Sequence, residues 1–291
     1  MGDVILVTGA SGMIGSRLVS ALRARGDRVI THSRADGDLS EAIPAAEGVR
    51  HVFHLAGKSY VPDSWAHPAE FYLVNVQGTV NVLEFCRREK ASLTFVSSYV
   101  YENPPTIPVS EDHPVKAFNP YSHSKILAEQ VTSYYSASFG VPVTIVRPFN
   151  IYGPGQAAHF LIPTLLEQAI SDAPALIVED ARPKRDYLFV DDLCVLLLRL
   201  MDARKCGTYN AGSGYSISVA DLAALVDEAA GVSKPLISRE NYRTGEVMDV
   251  VADISKARND VGWEPGVSLK DGLRQTLLFL PRHEIAHGQK Q

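Results

Sequence analysis

Tyr121 and Lys125 stand four residues apart in the segment PYSHSKILAEQ. On a helix this spacing stacks two side chains on one face about a turn apart. Alone, the pair reads first as a tyrosine packed on a lysine stem. A second constellation lies at the amino terminus, where VILV runs directly into TGASGMIG and sets Gly9, Gly12 and Gly15 at three-residue intervals before an amphipathic segment. Glycines at that spacing between a strand and a helix let the backbone turn tightly and approach a pyrophosphate. The helix amino terminus adds unpaired N–H groups and a partial positive charge. Dinucleotide binding is the chemistry expected there.

The acidic residue that usually accepts the ribose hydroxyls of such a cofactor lies about 20 residues beyond the glycines, at the end of the second strand. RVITHSRADGDLSE places His32, Ser33 and Arg34 there instead. A hydroxyl beside a guanidinium suits a 2′-phosphate, so NADP is expected before NAD, with a solvated loop arginine as the alternative. The stretch is also short, because Asp38 and Leu39 follow almost at once where a further strand would intervene.

The elements that must carry these residues alternate. VILV, RVITHS, HVFHLA, LTFVSS and VTIVRP are strand-like runs separated by helix-period segments over 12–25, 69–88 and 120–139. Strands buried between helices predict an α/β fold, a Rossmann-like doubly wound parallel sheet. Gly140, followed by Pro142, closes the helix that holds Tyr121. Past Pro148 the pattern loosens, with prolines at 154, 163, 174 and 183. The expected organisation is an NAD(P)-binding domain over 1–172 and a smaller α/β substrate domain over 173–291, with TYNAGSG returning to the sheet.

Composition narrows the partners. The 291 residues are 46% hydrophobic and 21% charged, with a formal net charge of -5. Nothing in that balance recommends nucleic acid or an anionic membrane. Cys86, Cys194 and Cys206 form no C-x-x-C pair, and the nine histidines show no metal spacing, so neither disulfides nor a metal site are expected. His54 reads as a buried strand histidine. No basic region precedes the first apolar run, and LCVLLLRLM is broken by Arg199 and far shorter than a membrane span. A soluble cytoplasmic protein is the expectation, with a frayed polar tail.

The ordered motifs TGASGMIG, HLAGKS, NVQGTVNVLE, FVSSYVY, YSHSK, RPFNIYGPGQ, RDYLFVDD and GWEP resemble those of the extended short-chain dehydrogenase/reductases, the nucleotide-sugar epimerases, dehydratases and reductases, from Val4 to about Pro265. The resemblance implies Tyr121 as catalytic acid/base, Lys125 as its partner and Ser97 as the third member, three residues before Val100. Ser98 is the alternative hydroxyl. An ammonium about 4 Å from a phenol at an effective dielectric near 20 favours the tyrosinate by roughly 4 kcal/mol, about three pKa units. Lys125 would also hold the nicotinamide ribose, and a serine hydroxyl would stabilise charge on the substrate oxygen as hydride moves.

The same resemblance implies a cofactor site from Gly9, Ser11, Gly12, Met13, Ile14, Gly15, Ser33, Arg34, Asp38, Leu39, Leu55, Ala56, Gly57, Tyr121, Lys125 and Pro148. For a nucleotide-diphosphate sugar it implies Lys58, Ser59, Ser98, Asn150, Arg185, Arg243 and Glu246. Family dehydratases carry an Asp-Glu pair after the catalytic hydroxyl where this chain has Ser98 and Tyr99, which argues against elimination of water. Glu102 also replaces the glycine that usually follows the valine-tyrosine pair. HLAGKSYVPDSW is similar to reductases of GDP-4-keto-6-deoxymannose, so NADPH-dependent reduction at C4 of a 4-keto-6-deoxyhexose is expected. An NAD-retaining UDP-hexose 4-epimerase is the runner-up, and a non-catalytic NADP-binding sensor the reading of another class. Relatives pair through two helices per subunit, here 69–88 and 126–139, which makes a homodimer the expectation.

Overall fold

A computed structural model describes residues 3–41, 43, 46–104, 106–242 and 247–280. The chain opens with β1 (Val4–Thr8), α1 (Met13–Ala24), β2 (Arg28–His32) and β3 (Val49–His54). The short helices α2 (Val61–Ala66) and α3 (Pro68–Tyr72) lead into α4 (Gly78–Glu89), β4 (Ser92–Val96), the 20-residue α5 (Pro120–Phe139), β5 (Val143–Pro148) and β6 (Asn150–Tyr152). Next come α6 (Leu161–Ile170), β7 (Leu176–Val178), β8 (Lys184–Arg185), β9 (Tyr187–Phe189), α7 (Val190–Asp202), β10 (Gly207–Ala211) and β11 (Ile217–Ser218). The last are α8 (Val219–Ala230), β12 (Leu236–Ser238), α9 (Ser255–Val261) and α10 (Leu269–Leu277).

Six strands form one sheet in the order β10-β5-β4-β3-β1-β2, and every pairing in it is parallel. The fold is the expected Rossmann-like one. Strand β2 is the edge, and the segment after it contains only a 3₁₀ turn, Arg34–Asp36, before Asp38. The strand missing from the sequence pattern is thus absent among the described residues. TYNAGSG does return: β10 pairs with β5 from Gly207 opposite Thr144 to Ala211 opposite Pro148.

Successive strand residues serve opposite faces. Ile5 and Val7 join Leu18 and Leu22 of α1 and Leu193 and Leu197 of α7, while Leu6 joins Val82 and Leu83 of α4 and Ala128 of α5. A third cluster, with Leu165, Leu166, Leu222, Val226 and Leu273, binds the later helices together around the short pairs β6-β9 and β7-β12. Several quoted motifs serve this packing. Trp263 of GWEP is fully buried and its Nε1 donates to the Asp192 carbonyl at 3.0 Å. Asp186 of RDYLFVDD accepts from the backbone of Ser213, Gly214 and Ala252.

The expected helix over 69–88 is helical throughout but is not uniformly α-helical. Leu73–Gln77 forms a wide π-helical turn between α3 and α4. Asn75 lies in this turn, and its amide clasps the Lys58 backbone, accepting from its N–H at 2.8 Å and donating to its carbonyl at 3.1 Å. Wide turns of this kind recur at functional sites.

Candidate active site

The glycine turn is built for close approach. Gly9 has φ +71°, and a Cβ there would lie 2.7 Å from the Ala56 backbone nitrogen. A Cβ on Gly15 would lie 2.1 Å from the Gly9 carbonyl oxygen, so helix and turn contact directly. Above this turn opens a cavity of about 380 Å³ lined by Gly9, Ser11, Gly12, Ser33, Arg34, Asp38, Leu39, Leu55, Ala56 and Gly57, all expected cofactor contacts. His32, Gly37 and Val74 complete its lining. Met13, Ile14, Gly15 and Pro148 do not line it. Met13 and Ile14 turn into the apolar clusters, Gly15 is pressed against the turn, and Pro148 is buried at the end of β5. A cradle without side chains at the head of α1 fits a dinucleotide pyrophosphate.

At the end of β2 the geometry is more specific than the sequence. Arg34 is exposed, and its side chain makes no hydrogen bond or ion pair with another described residue. Ser33 is engaged: its hydroxyl donates to Asp36 at 2.8 Å and its backbone N–H does so at the same distance, a local capping box. The Ser33 hydroxyl holds the exposed Asp36 carboxyl below the usual carboxylate range. Asp38 is lowered too, first by the Ser40 backbone N–H and more weakly by Arg34.

A second cavity of about 620 Å³ lies between β4, α5, β5 and the later helices, with Ser59, Ser98, Tyr121, Asn150 and Arg185 on its wall. Tyr121 starts α5, whose N-cap Asn119 accepts from the Ser122 N–H at 2.7 Å and whose Pro120 begins the first turn. Lys125 is buried one turn on, and its ammonium donates to the Val96 carbonyl at 2.8 Å while lying 4.5 Å from the Phe95 ring centroid. Burial lowers its pKa to about 8, with Glu129 opposing the fall. Burial raises Tyr121, and a hydrogen bond with Ser98 works the other way. The expected drop in the tyrosine pKa is therefore not present in this state. Lys125 is turned to the end of β4, and desolvation dominates both groups.

The two serines differ. Ser98 faces the cavity with Tyr121, whereas Ser97 is 5% exposed and its Oγ has no hydrogen-bond partner. An unpaired buried hydroxyl is costly and points to a partner acquired on binding. Lys58 is drawn away from the expected substrate site: it pairs with Glu70 and lies 5.4 Å from the Phe71 ring centroid, and it does not line the cavity. Asn150 donates to the Asp186 carbonyl at 3.1 Å, and Arg185 donates to the Val247 carbonyl at 2.7 Å. The carboxylates adjoining Arg185 are engaged elsewhere, Asp186 by Ser213 and Asp191 by Arg17. Arg243 and Glu246 lie outside the described residues.

With this geometry in view, the profile of the NAD dependent epimerase/dehydratase family matches residues 5–212. The chain belongs to that family. Among epimerase/dehydratase relatives, GDP-6-deoxy-D-mannose reductase of Pseudomonas aeruginosa is 31% identical across 95% of this chain and 97% of its own length. UDP-glucose 4-epimerase of Mycolicibacterium smegmatis is 31% identical across 94% and 97%. The structure of RMD from Pseudomonas aeruginosa complexed with NADPH superposes with a TM-score of 0.88 at 29% identity, covering 95% of this chain and 98% of that one.

As an epimerase/dehydratase enzyme the chain also uses residues that sequence reasoning left without a role. Asn75 donates to Ser124 Oγ at 2.9 Å, and Ser124 donates to the Tyr121 carbonyl at 2.7 Å. The loop after β3 is thereby tied to the turn that carries Tyr121. An asparagine inside a helix-period segment was the available signal, since asparagine disfavours helix interiors. His54 is buried between Thr8 at 2.7 Å and Thr79 at 3.1 Å. Among the described residues no group of three His, Cys, Asp or Glu side chains is placed to hold a metal, and no helix is long and apolar enough to cross a membrane.

Proposed function

We propose that this enzyme uses NADPH to reduce a 4-keto-6-deoxyhexose carried on a nucleoside diphosphate. The observation that carries the reading is Arg34, an exposed guanidinium on the dinucleotide cavity where ribose-reading relatives place a carboxylate. The resemblance to the Pseudomonas reductase supports it.

In this reading the glycine turn and the first turn of α1 hold the pyrophosphate, Arg34 holds the 2′-phosphate, and Lys125 holds the nicotinamide ribose. The bound cofactor supplies a hydride. Tyr121 gives its phenolic proton to the sugar oxygen, for which a protonated phenol, favoured here by burial, is the required state. Ser97 donates a hydrogen bond to the same oxygen, and Asn150 and Arg185 hold the diphosphate. Tyr99 stands where a dehydratase acid would be, and burial pushes its phenol up to about 12, which suits packing better than proton transfer. We also infer a working division at 172/173, a cytoplasmic location and a homodimer. Leu73, Tyr134 and Phe139 are exposed in the segments expected to pair.

One observation favours a second reading. Asp36 is a carboxylate fixed at the end of β2 by Ser33, and it could accept ribose hydroxyls as the acid of an NAD-retaining 4-epimerase does. A binding sensor has no use for Tyr121 and Lys125 set at a cavity. Native mass spectrometry of freshly purified protein, followed by turnover assays, separates these. A reductase releases spent cofactor, so protein largely without dinucleotide and one NADPH consumed per 4-keto-6-deoxy nucleotide hexose is the expected result. Retained NAD with interconversion of UDP-glucose and UDP-galactose would establish the epimerase, and no turnover of any nucleotide sugar would leave the sensor.

A further inference from the structure

The segment RPFNIYGPGQ ends in a turn that brings Gln156 onto the wall of the larger cavity, which it shares with Tyr121 and Ser98. The Gln156 N–H closes the turn by donating to the Gly153 carbonyl at 3.2 Å. A Cβ on Gly153 would lie 2.6 Å from Val190 Cγ1, so the turn is pressed against the start of α7 and has little room to shift. Several polar side chains on the same wall are engaged within the protein. Asn150 donates to the Asp186 carbonyl, Tyr152 to the Leu269 carbonyl at 3.3 Å and Thr164 to the Phe160 carbonyl at 2.8 Å. Gln156 is engaged at one end alone. Its Nε2 donates to the Ile151 carbonyl at 3.0 Å, while its Oε1 is buried without a hydrogen-bond partner. Among the described residues that line this cavity, no other side chain leaves a buried polar atom unpaired. The anchor fixes which end is which: a carbonyl oxygen accepts, so the amide nitrogen must face Ile151 and the amide oxygen is left over.

We propose that Gln156 accepts a hydrogen bond from the bound sugar and thereby selects a hexose that keeps a hydroxyl at C2 or C3. The inference rests on the preceding reading that the cavity takes a 4-keto-6-deoxyhexose on a nucleoside diphosphate. A buried acceptor without a partner is costly and points to a donor acquired on binding. In that sugar C1 carries the diphosphate, C4 is a carbonyl, C5 bears the ring oxygen and C6 is a methyl group. The O–H donors of the ring are therefore those at C2 and C3. The last torsion of a glutamine is broad, so Oε1 can turn to such a hydroxyl while the turn itself stays fixed. A sugar lacking the hydroxyl leaves the amide oxygen unpaired, and a polar group left unpaired discriminates more sharply than an apolar wall does.

NADPH oxidation with GDP-4-keto-6-deoxymannose and with its 2-deoxy and 3-deoxy counterparts tests this, on the full-length protein and on Gln156→Met, which keeps the length of the side chain and loses the amide. The parent should lose about tenfold or more in kcat/KM with one of the two deoxy substrates, the scale of one hydrogen bond. Gln156→Met should lose about as much with the complete substrate, yet handle that same deoxy substrate within about threefold of the parent, because the contact is then missing on both sides. GDP, which carries no sugar, should bind both proteins equally, and a thermal melt matching the parent confirms that the variant is folded. Parent activity within about threefold on both deoxy substrates overturns the proposal whatever the variant does. So does a Gln156→Met loss shared by all three substrates, which would reduce Gln156 to a support of the turn, or a loss shared by GDP, which would move the contact to the nucleotide. If the parent consumes no NADPH with these sugars or with their UDP-linked forms, the reductase reading itself fails and this proposal with it, a result distinct from turnover that ignores the hydroxyls.

Discussion

Glu129 holds Arg147 through three hydrogen bonds of 2.6 to 3.2 Å, one helical turn beyond Lys125, and both partners of that pair are about nine-tenths buried. Arg147 also lies 4.8 Å from the Tyr101 ring centroid and donates to the Glu111 carbonyl at 3.2 Å. Glu129 shares α5 with Lys125, and its charge raises the lysine pKa against burial. Glu129→Gln should let Lys125 lose its proton at lower pH and move the alkaline limb of kcat/KM toward neutrality by on the order of one unit. Adding Arg147→Met removes the unpaired cation and should move the limb back. An unshifted limb with a lower melting temperature would make the pair purely structural.

Tyr121→Phe removes the phenolic proton and little else. Turnover should fall at least ~100-fold, the typical scale of a lost general acid or base, while cofactor binding and the melting temperature stay near those of the parent. Steady-state kinetics beside a cofactor titration checks this, and near-normal turnover would refute the assignment.

Ser97→Ala and Ser98→Ala separate the two hydroxyls. Because Ser97 Oγ is buried without a partner, its removal should cost no stability, yet kcat should drop by about 100-fold. Ser98→Ala removes a hydroxyl beside Tyr121 on the cavity wall and should cost less than about tenfold. The reverse order would make Ser98 the donor to substrate.

Arg34→Ala should weaken NADP by roughly 1 to 3 kcal/mol and leave NAD nearly unchanged, since only the former offers a 2′-phosphate. Fluorescence titration of both cofactors measures it. Equal losses would remove Arg34 from that role and favour the reading through Asp36.

His51 is buried on β3 between Ser92 at 2.7 Å and Thr94 at 3.0 Å, and burial lowers its pKa to about 3. The unfolded chain protonates it near 6.5, so between these values the unfolded state binds the extra proton. Its contribution to stability is therefore complete above about pH 6.5 and is lost as the pH falls toward 3. His51→Gln should flatten urea-unfolding stability against pH in that window by about one proton. A slope identical to the parent's would show that His51 does not carry the linkage.

The order of strands and helices, the glycine turn and the Tyr121–Lys125 spacing were legible in the chain because each depends on local periodicity. Residues i and i+4 on one helix, or three glycines between a strand and a helix, meet wherever the remainder of the chain goes. The shortened region after β2 was legible for the same reason, since no strand fits between Ser33 and Asp38. What the tertiary structure decided was long-range. The helix over 69–88 widens to a π turn around Asn75, whose amide meets the Lys58 backbone across a loop. Lys58 turns to Glu70, and Ser98 rather than Ser97 meets Tyr121 in the open cavity. The Tyr121 and Lys125 pKa shifts run opposite to the expected pairing because desolvation is a property of the packed interior, and sequence spacing carries no measure of burial.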